Sequence, residues 1–419
     1  MANEFQPLQG MNDIASPDIL LWQNIEEEAR QVFKNFGYFE LRTPILEKAE
    51  VFVHTLGDSS DIVQKEMYNL KDRGGRSLVL RPEGTAGAIR YLSSLGEESE
   101  NAKVYYIGPM FRCERPQAGR KRQFHQIGAE SICNPNPLKD VETIALQYEM
   151  LNKLGLKINI KINTLGSIDD QINIRNGLTS SLEKYKDILS PDYKSRLENN
   201  VLRILDSKDQ KYQNIIDDLP SILTFMNSDS RKYLDTVMKL LEELKIPYKH
   251  DPRLVRGLDY YNHTVWEITH DSLGSQDSVA GGGRYTIKSG KKMMNGVGFA
   301  MGIERIILAL NVSNKISNQS KKNGFWIISL GDESVVENMK LAKVIRNLNK
   351  RCGMDLDNKS MKAQFRKADR FGALEAIIRG DDELTKGIII IKNLDNGEQN
   401  EYNFNQWLVS LKGVQNASI

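Results

Sequence analysis

The segment Tyr106-Ile107-Gly108-Pro109-Met110-Phe111-Arg112-Cys113-Glu114-Arg115 runs through Pro116-Gln117-Ala118-Gly119-Arg120-Lys121-Arg122 into Gln123-Phe124-His125-Gln126-Ile127-Gly128-Ala129-Glu130. A strand-like run, a basic loop and a returning strand-like run form a hairpin. From Arg112 to Arg122 five basic side chains stand against one acid, and guanidinium forks at a loop tip can hold a phosphate bidentately. On the returning strand, period-two alternation puts Phe124, Gln126, Gly128 and Glu130 on one face. The glycine then leaves space above the sheet between an amide and a carboxylate. Taken alone, this hairpin fits a solvated charged edge as well as an anion site.

Four further segments carry residues of chemical interest. Arg81-Pro82-Glu83-Gly84-Thr85 sets a carboxylate beside a glycine turn, which by itself is ordinary turn chemistry. Leu254-Val255-Arg256-Gly257-Leu258-Asp259-Tyr260-Tyr261 reads as an apolar strand start, with strand-like text to Trp266. Strict alternation separates Arg256 from Tyr261, so both serve one site only if Gly257 bends the chain. Ala280-Gly281-Gly282-Gly283-Arg284-Tyr285 is a glycine run that lets backbone approach a ligand closely. Gly298–Arg305 opens an apolar helix running to Leu310, with Arg305 projecting from its first turns.

The elements that must hold these residues are legible in outline. Ser16-Pro17-Asp18 is a helix start, with a hydroxyl cap, proline at the first helical position and a favourable acid. Leu21, Ile25, Val32, Phe33 and Phe36 keep helical spacing until Gly37, and Phe39–Arg42 follows as a strand ended by Pro44. Strand-like text then continues to about residue 132 with no strand-helix alternation and no GxGxxG, which points to an antiparallel α+β sheet. A first domain is expected over 1–166 and 249–322, interrupted by a polar helical insertion at 167–248. The Ser-, Asn- and Lys-rich run 311–324 reads as a linker. A small α/β domain is expected over 323–419, built from Phe325–Leu330, Ser334–Asn349, Ala363–Arg370, Ala376–Ile378 and Gly387–Lys392. From Asn338 to Arg370 ten basic residues face three acids, a local charge suited to phosphate-backbone contact as well as to a solvated face.

Composition narrows the class. The chain has 419 residues, 40% hydrophobic and 27% charged, and a formal charge of only +2, so attraction to nucleic acid must come from local patches. No apolar run is long enough to cross a bilayer, and Met1–Gly10 does not read as a signal peptide, so no membrane association and a cytoplasmic location are expected. Three cysteines without a CxxC pair and five histidines without HExxH argue against a disulfide framework and a zinc site, and no metal held by the protein itself is expected. Without GxxxxGK[ST] the chain is no P-loop ATPase.

Together the segments resemble the histidyl-tRNA synthetases, which are class II aminoacyl-tRNA synthetases, over essentially the whole chain. Gly37–Val53 with Pro44 is similar to the first class II motif, Phe111–Glu130 to the second and Gly298–Arg305 to the third. Leu-Arg-Pro-Glu-Gly-Thr at 80–85, Leu-Val-Arg-Gly-Leu-Asp-Tyr-Tyr at 254–261 and Gly-Gly-Arg-Tyr at 282–285 are similar to the segments that set the histidine enzymes apart. The resemblance implies a class II antiparallel-sheet catalytic domain with a helical insertion, a C-terminal α/β anticodon-binding domain and a homodimer. It implies activation of L-histidine with ATP and Mg²⁺, then transfer to the 3′ end of tRNA(His).

The roles implied residue by residue are these. Arg112 holds the ATP α-phosphate, Glu114 and Arg120 join the ATP site, and Arg305 stacks on adenine. Glu83 and Thr85 grip the ammonium group of histidine, Gln126 orients its polar head, Glu130 and Tyr261 recognise the imidazole and Tyr260 lines the pocket. Arg256 stabilises charge at the α-phosphate, while Arg115 and Gln117 meet the tRNA acceptor end. Thr286 stands where the family usually has Asp, and the stretch to Gly298 is short. Two other classes remain as alternatives: a noncatalytic synthetase-like regulator of histidine biosynthesis, and an RNA-binding protein without chemistry. The C-terminal domain and the three arginines Arg112, Arg256 and Arg305 favour the enzyme.

Overall fold

The computed structural model describes residues 5–57, 60–116, 119–199, 201–207, 209–274, 277–290, 292–312, 322–357 and 359–413. Two compact units divide the chain at 316/317. In the first, the helix Asp18–Asn35 buries Trp22, Ile25, Ala29, Val32 and Phe33, a single stripe at helical spacing. Ser16 does not cap it, because Pro17 occupies the cap position and no side chain bonds the first turn. Phe33 lands flat on Tyr105, ring centroids 4.2 Å apart, and so docks the helix on the main sheet.

That sheet has eight strands among the described residues, in the spatial order Phe39–Glu40, Lys103–Phe111, Gln123–Ile132, Lys292–Gly302, Ser278–Ser289, Tyr261–Thr269, Asn159–Thr164 and Lys249–His250. Its six central strands are antiparallel, as expected. The two edge strands pair in parallel, so the sheet is mixed. Each parallel pair is joined by a long connection, which is what parallel pairing requires. The helices Asp18–Asn35, Pro137–Lys153, Ser228–Glu243 and Ile303–Val312 cover one face. A three-stranded sheet of Leu46–Lys48, Ser77–Leu80 and Tyr68–Lys71 and the helix Thr85–Ser94 lie on the chemical side. Shorter helices, Ile168–Glu183, Pro191–Asn199, Leu202–Leu205 and Gln213–Asp217, share that side's apolar core with Phe52, Val265 and Tyr285.

Two elements differ from the sequence reading. The strand expected from Leu254 begins only at Tyr261, and residues 254–260 form a loop whose Leu254 carbonyl is held by Asn163 at 2.9 Å. The helix expected from Gly298 begins at Ile303, because residues 298–302 are still paired with Glu130–Gln126 in the sheet. Ladder hydrogen bonds outweigh the helical spacing there.

The second unit is a five-stranded sheet ordered Cys352–Met354, Phe325–Ile328, Glu375–Ile378, Ile388–Asn393 and Gln399–Asn403, parallel over the first three strands and antiparallel beyond. Phe325 and Ile327 pack with the helix Asp332–Asn347 on one face, and Trp326 and Ile328 pack with Met361–Phe371 on the other. The strands Cys352–Met354 and Gln399–Asn403 and the helices Asp381–Lys386 and Phe404–Gly413 are additional to the expected elements. Among the described residues no helix is long and apolar enough to cross a membrane.

Candidate active site

The expected hairpin forms, with Phe111 opposite Gln123 and the Arg112 N–H donating to the Arg122 carbonyl at 2.8 Å. Alternation along its second strand sends Ile127 and Ala129 into the helical core and Gln126 and Glu130 into a cleft of about 520 Å³. Glu83, Thr85, Arg112, Arg120, Gln126, Glu130, Arg256, Tyr260, Tyr261 and Arg305 all line this cleft. It therefore gathers residues from four separated stretches of sequence. Glu114 and Arg115 are not among its lining residues, though Glu114 lies 3.7 Å from Arg120. Gln117 lies outside the described residues.

Glycine makes the close packing possible. The space over Gly128 is filled by the ring of Tyr106, which a Cβ on Gly128 or Gly84 would overlap, so no gap is left between Gln126 and Glu130 at that point. A Cβ on Gly298 would collide with the Glu130 carboxylate, one on Gly281 with the Arg256 guanidinium, and one on Gly283 with the Tyr261 ring. The glycine run thus seats protein side chains rather than admitting a ligand to the backbone. Gly257 lies in the loop where the chain leaves strand alternation, and Arg256 and Tyr261 both reach the cleft.

The floor of the cleft is acidic and buried. Glu83 is buried, its two carboxylate oxygens accepting the Thr85 and Ala86 N–H groups at 2.7 and 2.8 Å, at the start of the helix Thr85–Ser94. Burial holds its carboxyl above the ordinary range. Glu130 is 1% exposed. Desolvation pushes its carboxyl up to about 8, and the Tyr106 hydroxyl donates to it across 3.5 Å. Among the described residues Glu130 Oε2, Gln126 Oε1, Tyr285 OH and Arg256 Nε are buried without a hydrogen-bond partner. Tyr260 and Tyr261 pack at 4.6 Å, and Tyr260 meets Tyr285 edge-on at 5.9 Å.

The upper part is cationic. Arg112 Nε donates to the Pro82 carbonyl at 3.0 Å, with the guanidinium 5.2 Å from the Phe124 ring. Arg256 Nη1 meets Glu267 at 3.2 Å, and Arg305 Nε donates to the Ser278 carbonyl at 2.8 Å. The sequence reading assigned no role to Tyr106, Glu267, Asp61, Glu66 or Asp206, of which all but Tyr106 line the cleft. Tyr106 had a usable signal, since it pairs with Gly128 across the hairpin and a large ring opposite a glycine is a packing instruction. Among the described residues no three His, Cys, Asp or Glu side chains cluster in a way that could hold a metal ion.

A polar, acid-floored pocket beside three converging arginines is a place for an amino acid and a phosphate anhydride. The family model for histidyl-tRNA synthetase matches residues 10–306. The chain belongs to that family. A model of the anticodon binding domain matches residues 325–412 of the same chain. The chain is similar to the histidine–tRNA ligase of Acaryochloris marina, 42% identical across 94% of this chain and 93% of that one. It is similar also to the histidine–tRNA ligase of Pediococcus pentosaceus, 41% identical across 94% and 96%. Its fold matches the apo histidyl-tRNA synthetase of S. aureus with a TM-score of 0.81 at 31% identity, over 97% of this chain and all of the other.

Proposed function

We propose that the cleft activates L-histidine with ATP and passes the histidyl group to the 3′ end of tRNA(His), the work of a histidine–tRNA ligase. A histidine carboxylate oxygen attacks the α-phosphorus, the bond from that phosphorus to the β-phosphate bridging oxygen breaks, and pyrophosphate leaves. The step needs no protein nucleophile, only positioning and stabilisation of phosphoryl charge. Arg112 and Arg256 would face the α-phosphate, and Arg305 would stack on adenine with Arg120 and Glu114 alongside. Glu83, Thr85 and Gln126 would hold the ammonium group and polar head. Glu130 and Tyr261 would meet the imidazole, with Tyr260 as wall. Arg115 and Gln117 would serve the acceptor end of the tRNA.

The observation that carries this reading is the set of unpartnered buried polar atoms at Gln126, Glu130 and Tyr285 next to the arginines. A pocket built to bond ring nitrogens leaves such groups unpaired when an apolar analogue enters, and so rejects it. Mg²⁺ would arrive on the ATP phosphates, as suits an ion bound by few carboxylates. Glu66 and Glu267 line the cleft and would be the carboxylates to meet it there, and when bound it would neutralise triphosphate charge.

The proposed domains are catalytic at 1–166 and 249–322, a helical insertion at 167–248 and anticodon-binding at 323–419. On the helix Met361–Phe371 the exposed Lys362, Arg366 and Arg370 recur at four-residue spacing, one basic stripe for RNA phosphates. Not all the basic residues of that segment contribute, since Lys367 is committed to Asp355 and Asp357 and Lys340 to Glu337. Phe39, at 76% exposure on the edge strand Phe39–Glu40, and the exposed Ile45, Leu46 and Leu70 would contribute apolar contacts to a homodimer. Light scattering that finds only monomer at micromolar concentration would remove that element. A cytoplasmic location follows the same reading. The regulatory alternative is disfavoured by the identity to ligases along nearly the whole chain. Pyrophosphate exchange dependent on histidine and ATP is the deciding experiment: the enzyme exchanges, while a regulator or plain RNA-binding protein does not.

A further inference from the structure

Arg203 belongs to the short helical turn Leu202–Leu205, far in sequence from the motifs, yet its guanidinium joins two walls of the cleft. Nη1 donates to Asp61 Oδ2 at 2.9 Å and Nη2 to the Gly257 carbonyl at 3.0 Å. Asp61 and Gly257 both line the cleft, as does Asp206, three residues on from Arg203. The turn is itself anchored, because Leu202, Ile204 and Leu205 are buried in the core that holds Val255, Tyr260 and Tyr261. An anchored turn with one fork extended to two separate backbone segments is a brace.

The loop it braces is tied by backbone carbonyls at its two ends. The Leu254 carbonyl is held by Asn163 at one end, and the Tyr260 carbonyl accepts from Thr286 N–H at 3.1 Å at the other. Between them, residues 255–257 make no backbone–backbone hydrogen bond among the described residues, and nothing lies within 4 Å of the place a Cβ on Gly257 would take. Val255 packs into the core and Arg256 bonds Glu267, so the carbonyl next to Arg256 is fixed by Arg203. Loop position matters here because small displacements of a charge-stabilising group cost rate steeply.

We propose that Arg203 is a positioning residue for histidine activation, bracing the Arg256 loop against the Asp61 wall and tying the helical insertion to the reaction. This rests on the activation reading above. The pairing needs a planar fork with two donors in fixed geometry, which lysine's single ammonium does not offer.

The test is a double-mutant cycle on the full chain, read by single-turnover adenylate formation. Arg203→Ala is expected to slow the step about tenfold with histidine KM and Tm little changed, and Arg203→Lys to recover only part of the rate. In an Arg256→Ala background the Arg203→Ala loss should shrink to about twofold or less, since the brace has no arginine left to position. If Arg203→Ala fails to fold, the same cycle with Arg203→Lys gives the coupling. Equal losses in both backgrounds, a loss that follows Tm alone, or full rescue by lysine would each overturn the proposal. Absence of exchange by the unsubstituted chain would overturn the activation reading and this inference with it, whereas exchange with an additive cycle overturns the brace alone.

Discussion

Arg284 and Tyr285 are neighbours on one strand, and they point to opposite faces of the main sheet into two different buried polar clusters. On the helical face, Asp140 and Arg284 are both 0% exposed. Asp140 accepts Arg284 Nε and Nη2 at 2.8 and 2.5 Å, the Thr264 hydroxyl at 2.7 Å and the Tyr233 hydroxyl at 2.9 Å. The remaining guanidinium donors reach the Cys133 and Asn136 carbonyls. On the cleft face, Tyr285 lies near Glu130 and Gln126, and each of the three keeps a buried atom without a partner. A buried unpaired polar group costs about 1–3 kcal/mol. The closed cluster is a fold element, and the open one holds bonding capacity in reserve for a ligand. Burial and charge alone do not separate the two; the count of unmet bonds does.

Breaking the closed cluster should have the largest effect on stability. Asp140→Ala strands the Arg284 charge, and removing one partner of a buried pair costs about 3–5 kcal/mol. Urea unfolding is expected to show that loss while histidine affinity of the folded fraction stays unchanged. A histidine-specific defect without destabilisation would put Asp140 in the site instead. Arg256 should behave in the reverse way, since it lies on the open side and, among the described residues, its side chain bonds Glu267. Arg256→Ala should slow adenylate formation on the order of 100-fold, about 2.7 kcal/mol of transition-state stabilisation, with little change in Tm. Unchanged single-turnover activation would remove Arg256 from the mechanism.

The same contrast explains what could be read from sequence. Gln126 and Glu130 were legible because strand alternation places i and i+4 on one face regardless of tertiary context. The glycine run before Tyr285 reads as backbone open to a ligand, but of Gly-Gly-Arg-Tyr the tyrosine alone lines the cleft. Arg284 turns to Asp140, a partner 144 residues away that no local pattern announces. The loop at 254–260 was read as strand because its apolar start carries no mark of the missing ladder. Glu267 and Arg203 went without roles for a related reason. Each gains its meaning from a contact across the fold, with Arg256 and with Gly257, and neither stands in a motif of its own. Spacing reports faces of elements, whereas the closing contacts between elements are set by packing.

Glu130→Gln sharpens the comparison, because the open cluster should trade binding against stability while the closed one has nothing to trade. The amide keeps the side-chain volume and a neutral hydrogen bond but cannot give up a proton when the imidazole binds, so the charge-assisted bond is lost and histidine affinity should fall roughly tenfold, about 1.4 kcal/mol, with ATP affinity unchanged. Stability should move the other way with pH. The Glu130 carboxyl titrates near 4.5 in the unfolded chain and is pushed up to about 8 by burial in the folded protein. Its contribution to stability is therefore fully present below about 4.5 and is lost as pH rises through about 8, since unfolding releases the proton throughout that window. Glutamine has no proton to lose. The Tm of Glu130→Gln relative to the parent should accordingly be lowest near pH 5 and rise by about a few degrees toward pH 8. A flat difference across the window would mean that the carboxyl ionises normally. Equal histidine affinity, or a loss shared with ATP, would take the imidazole contact away from Glu130.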